Sequence, residues 1–194
     1  MLRRRLAKAI SLLTAPQVYG GLVASVIWLK LGIGGVEALL VLFTTQTVIP
    51  LLPIVIDTRK GVIDVFVTER EKRPKYYLVS ILSYTIGIAY AMLRNYRVYA
   101  VLALSYFVSA AALAVVTTIA RWKISVHTAG ISGPTTALVL TSGPDYILLY
   151  LLLIPVVWAR LEMKAHTTAQ LVAGAMLAFV TTVLTFKTFY FVPI

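Results

Sequence analysis

The chain has 194 residues, of which 60% are hydrophobic and 13% charged, and its mean hydropathy is +0.90. This excludes a disordered chain and argues against an ordinary soluble domain. The absence of cysteine rules out disulfides, zinc thiolate sites, iron-sulfur clusters and thiol nucleophiles, so any chemistry must come from His, Ser, Lys, Arg or a carboxylate. A net charge of +11 would suggest a nucleic-acid partner in a soluble protein. Here the charges flank apolar runs, and no nucleic-acid partner is expected.

The first fifteen residues set Leu2, Leu6, Ile10 and Leu13 at helical spacing opposite Arg3, Arg4, Arg5 and Lys8, the pattern of an amphipathic helix lying at a membrane interface. Residues 16–194 read as one transmembrane domain. After Pro16, an apolar segment over 18–31 is short for a span, and Gly32, Gly34 and Gly35 mark a turn. A second span covers 36–56. Residues 57–75 form the one long polar stretch, too charged to sit in hydrocarbon unless it works there or meets water. Further apolar segments cover 76–92, 98–120, 128–141, 146–159 and 167–189. The sequence therefore predicts an all-α, polytopic membrane helical bundle with six or seven transmembrane helices.

With seven crossings, the N-terminus and the loops after the second, fourth and sixth helices share one face. Fourteen of the eighteen Lys and Arg fall there, against Lys30, Arg94, Arg97 and Lys187 on the other. The positive-inside rule makes the richer face cytoplasmic, in the plasma membrane of a prokaryote. The scarcity of amides, with Asn95 and three glutamines, and the lack of cysteine hint at a heat-adapted source.

Both histidines, His127 and His166, fall on that same face, each at the start of an apolar helix and beside basic residues. Phosphate chemistry needs such a setting. The first turn of a helix has unpaired N–H groups and a positive dipole end that cradle an anion, and the same dipole disfavours imidazolium, keeping a histidine nucleophilic. Arg160, Arg73, Lys72 and Lys123 are candidates to balance the charge of a phosphoryl group in flight.

The segment Arg160-Leu-Glu-Met-Lys-Ala-His166-Thr-Thr-Ala-Gln170 resembles the third signature, Arg-x5-His-x3-Asp, of the type 2 phosphatidic acid phosphatase (PAP2) superfamily. Ile124-Ser125-Val126-His127 is similar to its second signature, Pro-Ser-Gly-His, and Arg73-Pro74 to the end of its first, Lys-x6-Arg-Pro. The resemblance runs from Asp57 to the C-terminus, and the first fifty residues add nothing to it. It implies a PAP2-like helical core and a metal-independent, cofactor-free hydrolase. His166 would be the nucleophile that forms a phosphohistidine and His127 the general acid. Arg160, Ser125 and Arg73 would bind the phosphoryl oxygens. The substrate implied is a lipid phosphate or diphosphate, with polyprenyl diphosphate, phosphatidate and phosphatidylglycerophosphate all open. Three positions depart from the pattern. Phe66 stands where the family lysine belongs, so that Lys72, Arg70 or Lys60 would have to substitute. Val126 replaces the glycine of the second signature. Gln170 replaces the third-signature aspartate; four residues after His166, its carbonyl can orient the histidine N–H but cannot offset charge on the ring, which predicts slower turnover.

Two other readings compete. A magnesium-dependent prenyltransferase would use carboxylates such as Asp57, Asp64, Glu69 and Glu71 to hold metal against a diphosphate, but Glu37, Asp145 and Glu162 stand alone in separate loops and form no second acidic cluster. A non-catalytic PAP2-like protein that binds or moves phospholipid would have no special need of both histidines and Arg160.

Overall fold

The computed structural model describes residues 1–191, so 192–194 of the expected transmembrane domain lie outside the described residues. These form an all-α bundle with no strand among them. The helices are α1 (Leu2–Leu13), α2 (Pro16–Leu31), α3 (Val36–Phe43), α4 (Ile49–Arg59), α5 (Arg73–Leu93), α6 (Arg97–Thr118), α7 (Val126–Ser142), α8 (Leu153–Glu162) and α9 (Thr168–Phe189). A π-helical turn, Thr44–Val48, joins α3 to α4, and a 3-10 segment, Pro144–Leu152, leads into α8.

Five helical stretches are long and apolar enough to cross a membrane: Val36–Arg59, Arg70–Leu93, Arg97–Thr118, Pro144–Glu162 and Thr168–Phe189. The pair α1 and α2, bent by 45°, makes a sixth if it is one span. The remaining apolar segment, read over 128–141, lies in α7, which has only 17 residues. Eleven of them are buried, so α7 meets other helices rather than hydrocarbon. Large apolar side chains such as Leu29, Leu82, Leu148, Ile154 and Leu184 remain exposed on the outside of the bundle, where a membrane protein meets lipid.

Local chemistry explains the breaks. Pro16 opens α2 at its first turn, where a missing N–H costs nothing, and Gly32 closes it at φ 62°. Pro50 cannot donate to the carbonyl of Gln46 and its ring crowds that carbonyl, which accounts for the wider π turn there. Close approach of α9 to α7 depends on Gly174, since a Cβ there would stand 2.3 Å from the Ser125 carbonyl oxygen. The hydroxyl of Thr128 then donates to the Leu171 carbonyl at 2.8 Å.

Hydrogen bonds sort the loops into two ends. At one end Tyr99 donates to the Ile33 carbonyl, Arg94 pairs with Glu37, and Arg97 donates to the Phe189 carbonyl. At the other, Lys75 pairs with Asp57, Arg73 donates to the carbonyls of Val67 and Ile124, and the Ser125 N–H reaches the Gln170 carbonyl. The N-terminal helix joins this second end through Arg3 with Glu162 and Ser11 with Met163. Its Ala7 and Ser11 are buried, while Leu2, Leu6 and Leu13 are exposed, so its apolar stripe faces outward as an interfacial helix requires.

Candidate functional site

The second end gathers His127, His166, Arg73, Arg160 and Ser125, all buried. They come from separate parts of the chain. Arg73 is the first residue of α5, Arg160 lies in the last turn of α8, Ser125 and His127 start α7, and His166 sits in the loop before α9. Arg160, Arg73, Lys123 and His127 all lie near enough to act electrostatically on His166. Each of the three loops that build the site holds one non-glycine residue in the left-handed region: Val67 at φ 47°, Arg121 at φ 50° and Lys164 at φ 52°. For a β-branched valine this conformation is strained, and such strain concentrates where neighbouring structure imposes a functional geometry.

The polar groups divide into those already engaged and those without a partner. Arg73 donates through Nε to Val67 and through one terminal nitrogen to Ile124, both at 3.0 Å, and so ties the loop before α5 to the loop before α7. Ser125 caps α7, its hydroxyl oxygen accepting the Thr128 N–H at 3.3 Å, which leaves its own proton to donate. His127 reaches the Ser11 carbonyl through Nε2 at 3.2 Å, and because a carbonyl only accepts, that nitrogen carries the hydrogen. By contrast Nε and one terminal nitrogen of Arg160, and both ring nitrogens of His166, are buried with no partner. Buried polar groups are nearly always paired. Here a guanidinium and an imidazole close enough to interact electrostatically are both left without a partner.

Electrostatically the cluster is short of negative charge. Burial first, then Arg160, Arg73, Lys123 and His127, hold the His166 imidazole far below its ordinary value, at about 2, so the ring is neutral with a free lone pair. Lys123 is likewise pushed down, by burial and then by Arg73 and Arg160. Asp64 is the carboxylate that acts on both Arg160 and Arg73, but its two oxygens accept the N–H groups of Phe66 and Thr68 within its own turn. The arrangement suits an incoming anion.

Two expected roles need correction. Gln170 does not orient His166: its amide oxygen accepts the Thr167 N–H at 3.0 Å while Thr167 accepts the Gln170 N–H, a capping box that starts α9. Residue 170 is the third residue of its helix, which directs a glutamine back to the cap. Lys72 points away from the cluster, its ammonium bound to Glu69 and to the Val62 carbonyl, because the 3-10 turn Arg70–Lys72 carries it to the surface. Lys123 is the lysine brought near His166 instead. The first fifty residues also contribute, through the Ser11 carbonyl on His127.

Phe66 has a part that the sequence did not signal. Its ring lies 5.1 Å from the Arg160 guanidinium and 6.1 Å from the His127 ring, where it shields the cation in a cation–π contact. Below it, a cavity of about 360 Å³ leads from His127 and Arg73 into the bundle. Among the described residues no three His, Asp or Glu side chains gather to hold a metal. Asp57 is engaged by Lys75 and Tyr76, and Glu71 by Arg70. No protein-family model, curated protein or solved structure matches the chain.

Proposed function

We propose that this protein is a metal-independent phosphatase of membrane lipid phosphates or diphosphates, working through a phosphohistidine as in the PAP2 superfamily. The observation that carries the reading is the unpaired, buried couple of Arg160 and His166, set beside Arg73, Lys123 and His127. In the proposed reaction a lone pair of His166 attacks phosphorus, and the bond from phosphorus to the lipid oxygen breaks. That oxygen leaves with a proton from Nδ1 of His127, which the charge of the bound phosphate holds as the imidazolium, and water then attacks the phosphohistidine, giving a proton back to Nδ1 and releasing phosphate. Arg160, Arg73 and Lys123 offset the charge on the phosphoryl oxygens, aided by the Ser125 hydroxyl. The lipid tail lies in the bilayer, and the basic end of the bundle faces the cytoplasm.

The test is phosphate release from prenyl diphosphates and phosphatidate by the purified protein, with EDTA present and with His166→Ala alongside. Release that survives EDTA and disappears in the variant supports the reading; release abolished by EDTA overturns it. A second reading, a lipid-binding protein that does no chemistry, is favoured by the engagement of Gln170 in the helix cap, which leaves no side chain orienting His166. Tight lipid binding with no release would select it.

A further inference from the structure

Little protein holds the N-terminal helix in place. Within α1 only Ala7 and Ser11 are buried. Its side-chain ties to the bundle among the described residues are the Ser11 hydroxyl, which donates to the Met163 sulfur at 3.7 Å, and Arg3, which stands 4.0 Å from Glu162 with its own side chain 78% exposed. A thioether is a weak acceptor, and an exposed ion pair contributes little. The helical repeat then leaves two free faces. Leu2, Leu6, Ala9 and Leu13 form an exposed apolar stripe on one, and Arg4, Arg5 and Lys8 stand exposed on the other. Residues 1–15 contain no Asp or Glu to balance them, and among the described residues these three cations form no ion pair.

An apolar face and a basic face side by side fit one partner chemistry, the anionic headgroup layer of a bilayer. A soluble polyanion would leave the leucines in water, and a neutral lipid surface would leave the cations without counter-charge. Each cation at an anionic surface strengthens attachment about fivefold, and three together about a hundredfold. The attachment reaches the site through one hydrogen bond. Nε2 of His127 donates to the Ser11 carbonyl at 3.2 Å, and the histidine is 7% exposed. Lifting α1 would strand that buried N–H without an acceptor, which is costly, so the ring would pass its hydrogen to Nδ1 or take up water. Whatever holds α1 down therefore also holds the hydrogen on Nε2.

We propose that α1 binds anionic lipid and that its docking on the headgroup layer fixes the Nε2–H form of His127, so that the charge of the surrounding leaflet regulates the site. The inference rests on the phosphatase reading for the use of Nδ1 as the acid, but its test needs no turnover. The protein is placed in nanodiscs of phosphatidylcholine with rising phosphatidylglycerol. With only two histidines in the chain, isotopic labelling of histidine nitrogen makes both rings visible by NMR, and His166→Phe assigns them. A polarity-sensitive fluorophore on Leu6→Cys reports docking, since the chain has no other cysteine. Rising phosphatidylglycerol shifts the emission to shorter wavelength and, in step, moves the two His127 nitrogens apart in frequency as the hydrogen settles on Nε2. Arg4→Gln, Arg5→Gln and Lys8→Gln combined weaken docking about a hundredfold, so that both responses are lost at a phosphatidylglycerol content that saturates the wild type. Four outcomes overturn the proposal: identical spectra with and without phosphatidylglycerol, docking that leaves His127 unchanged, a combined variant that responds like the wild type, or both responses produced in phosphatidylcholine alone by heparin, a soluble polyanion. Both responses in a protein that releases no phosphate would sink the phosphatase reading and leave the lipid switch standing. Release that is indifferent to phosphatidylglycerol, with His127 unchanged, would do the reverse.

Discussion

Arg160 is 1% exposed, with two guanidinium nitrogens unpaired and the face of Phe66 as its neighbour. An unpaired buried charge destabilises a fold, so its retention points to work done when an anion arrives. Arg160→Met, close in volume and uncharged, is expected to raise the melting temperature in detergent while lowering phosphate release at least a hundredfold. Orthovanadate should raise the melting temperature of the wild type and leave the variant unchanged. His166 gives a pH signature. Its folded value of about 2 lies below the ordinary 6.5, so between these limits the unfolded chain binds the extra proton. Stability is then full above about pH 6.5 and falls as pH falls, by up to about 1.4 kcal/mol per unit. The melting temperature should drop between pH 7 and pH 5, and His166→Phe should flatten part of that slope. Gln170→Ala, which removes half of the capping box, should cost about 0.5–1 kcal/mol of stability and leave turnover within about twofold, because the side chain serves the helix and not the histidine. Loss of turnover with unchanged stability would restore the orienting role.

The helices place these side chains by how their ends are stopped and how closely they approach. The start of α7 carries Ser125 and His127, and it can lie against α9 only because residue 174 has no side chain. Gly174→Val should displace the Ser125 carbonyl, lower the melting temperature by several degrees and reduce activity with it. A variant that melts like the wild type would show that α7 and α9 are free to part. The bend between α1 and α2 has a related effect. It brings the Ser11 carbonyl under His127, so a helix that reads as a simple interfacial anchor also fixes the tautomer of a site residue.

For the bundle as a whole, the division of charge between the two ends makes orientation testable. The chain has no native cysteine, and Lys60 and Lys30 are exposed at opposite ends. Lys60→Cys should be labelled by an impermeant maleimide only after cells are opened, and Lys30→Cys in intact cells. The reverse pattern would put the site outside. Position 125 is a poor place for such a probe, because Ser125 is completely buried. The spread of exposed apolar side chains around the bundle, from Leu29 to Leu184, agrees with the long hydropathic runs that gave the helical membrane fold.

Composition and periodicity were enough for the membrane bundle and the gathering of both histidines with Arg73 and Arg160, because hydropathy and loop parity place helices and their ends without any packing detail. They did not show that α7 runs between the two ends inside the bundle, with eleven of its residues buried, since an apolar segment reads alike whether lipid or protein surrounds it. Side-chain partners depend on distances that spacing along the chain does not contain. Gln170 lies at the right interval to hold His166, yet a nearer backbone N–H takes its oxygen. Lys72 adjoins Arg73 in sequence, and one 3-10 turn sends it elsewhere. Phe66, the Ser11 carbonyl and the cavity beside His127 and Arg73 arise from contacts between segments far apart in the chain, and only the packing of those segments in three dimensions brings them to the site.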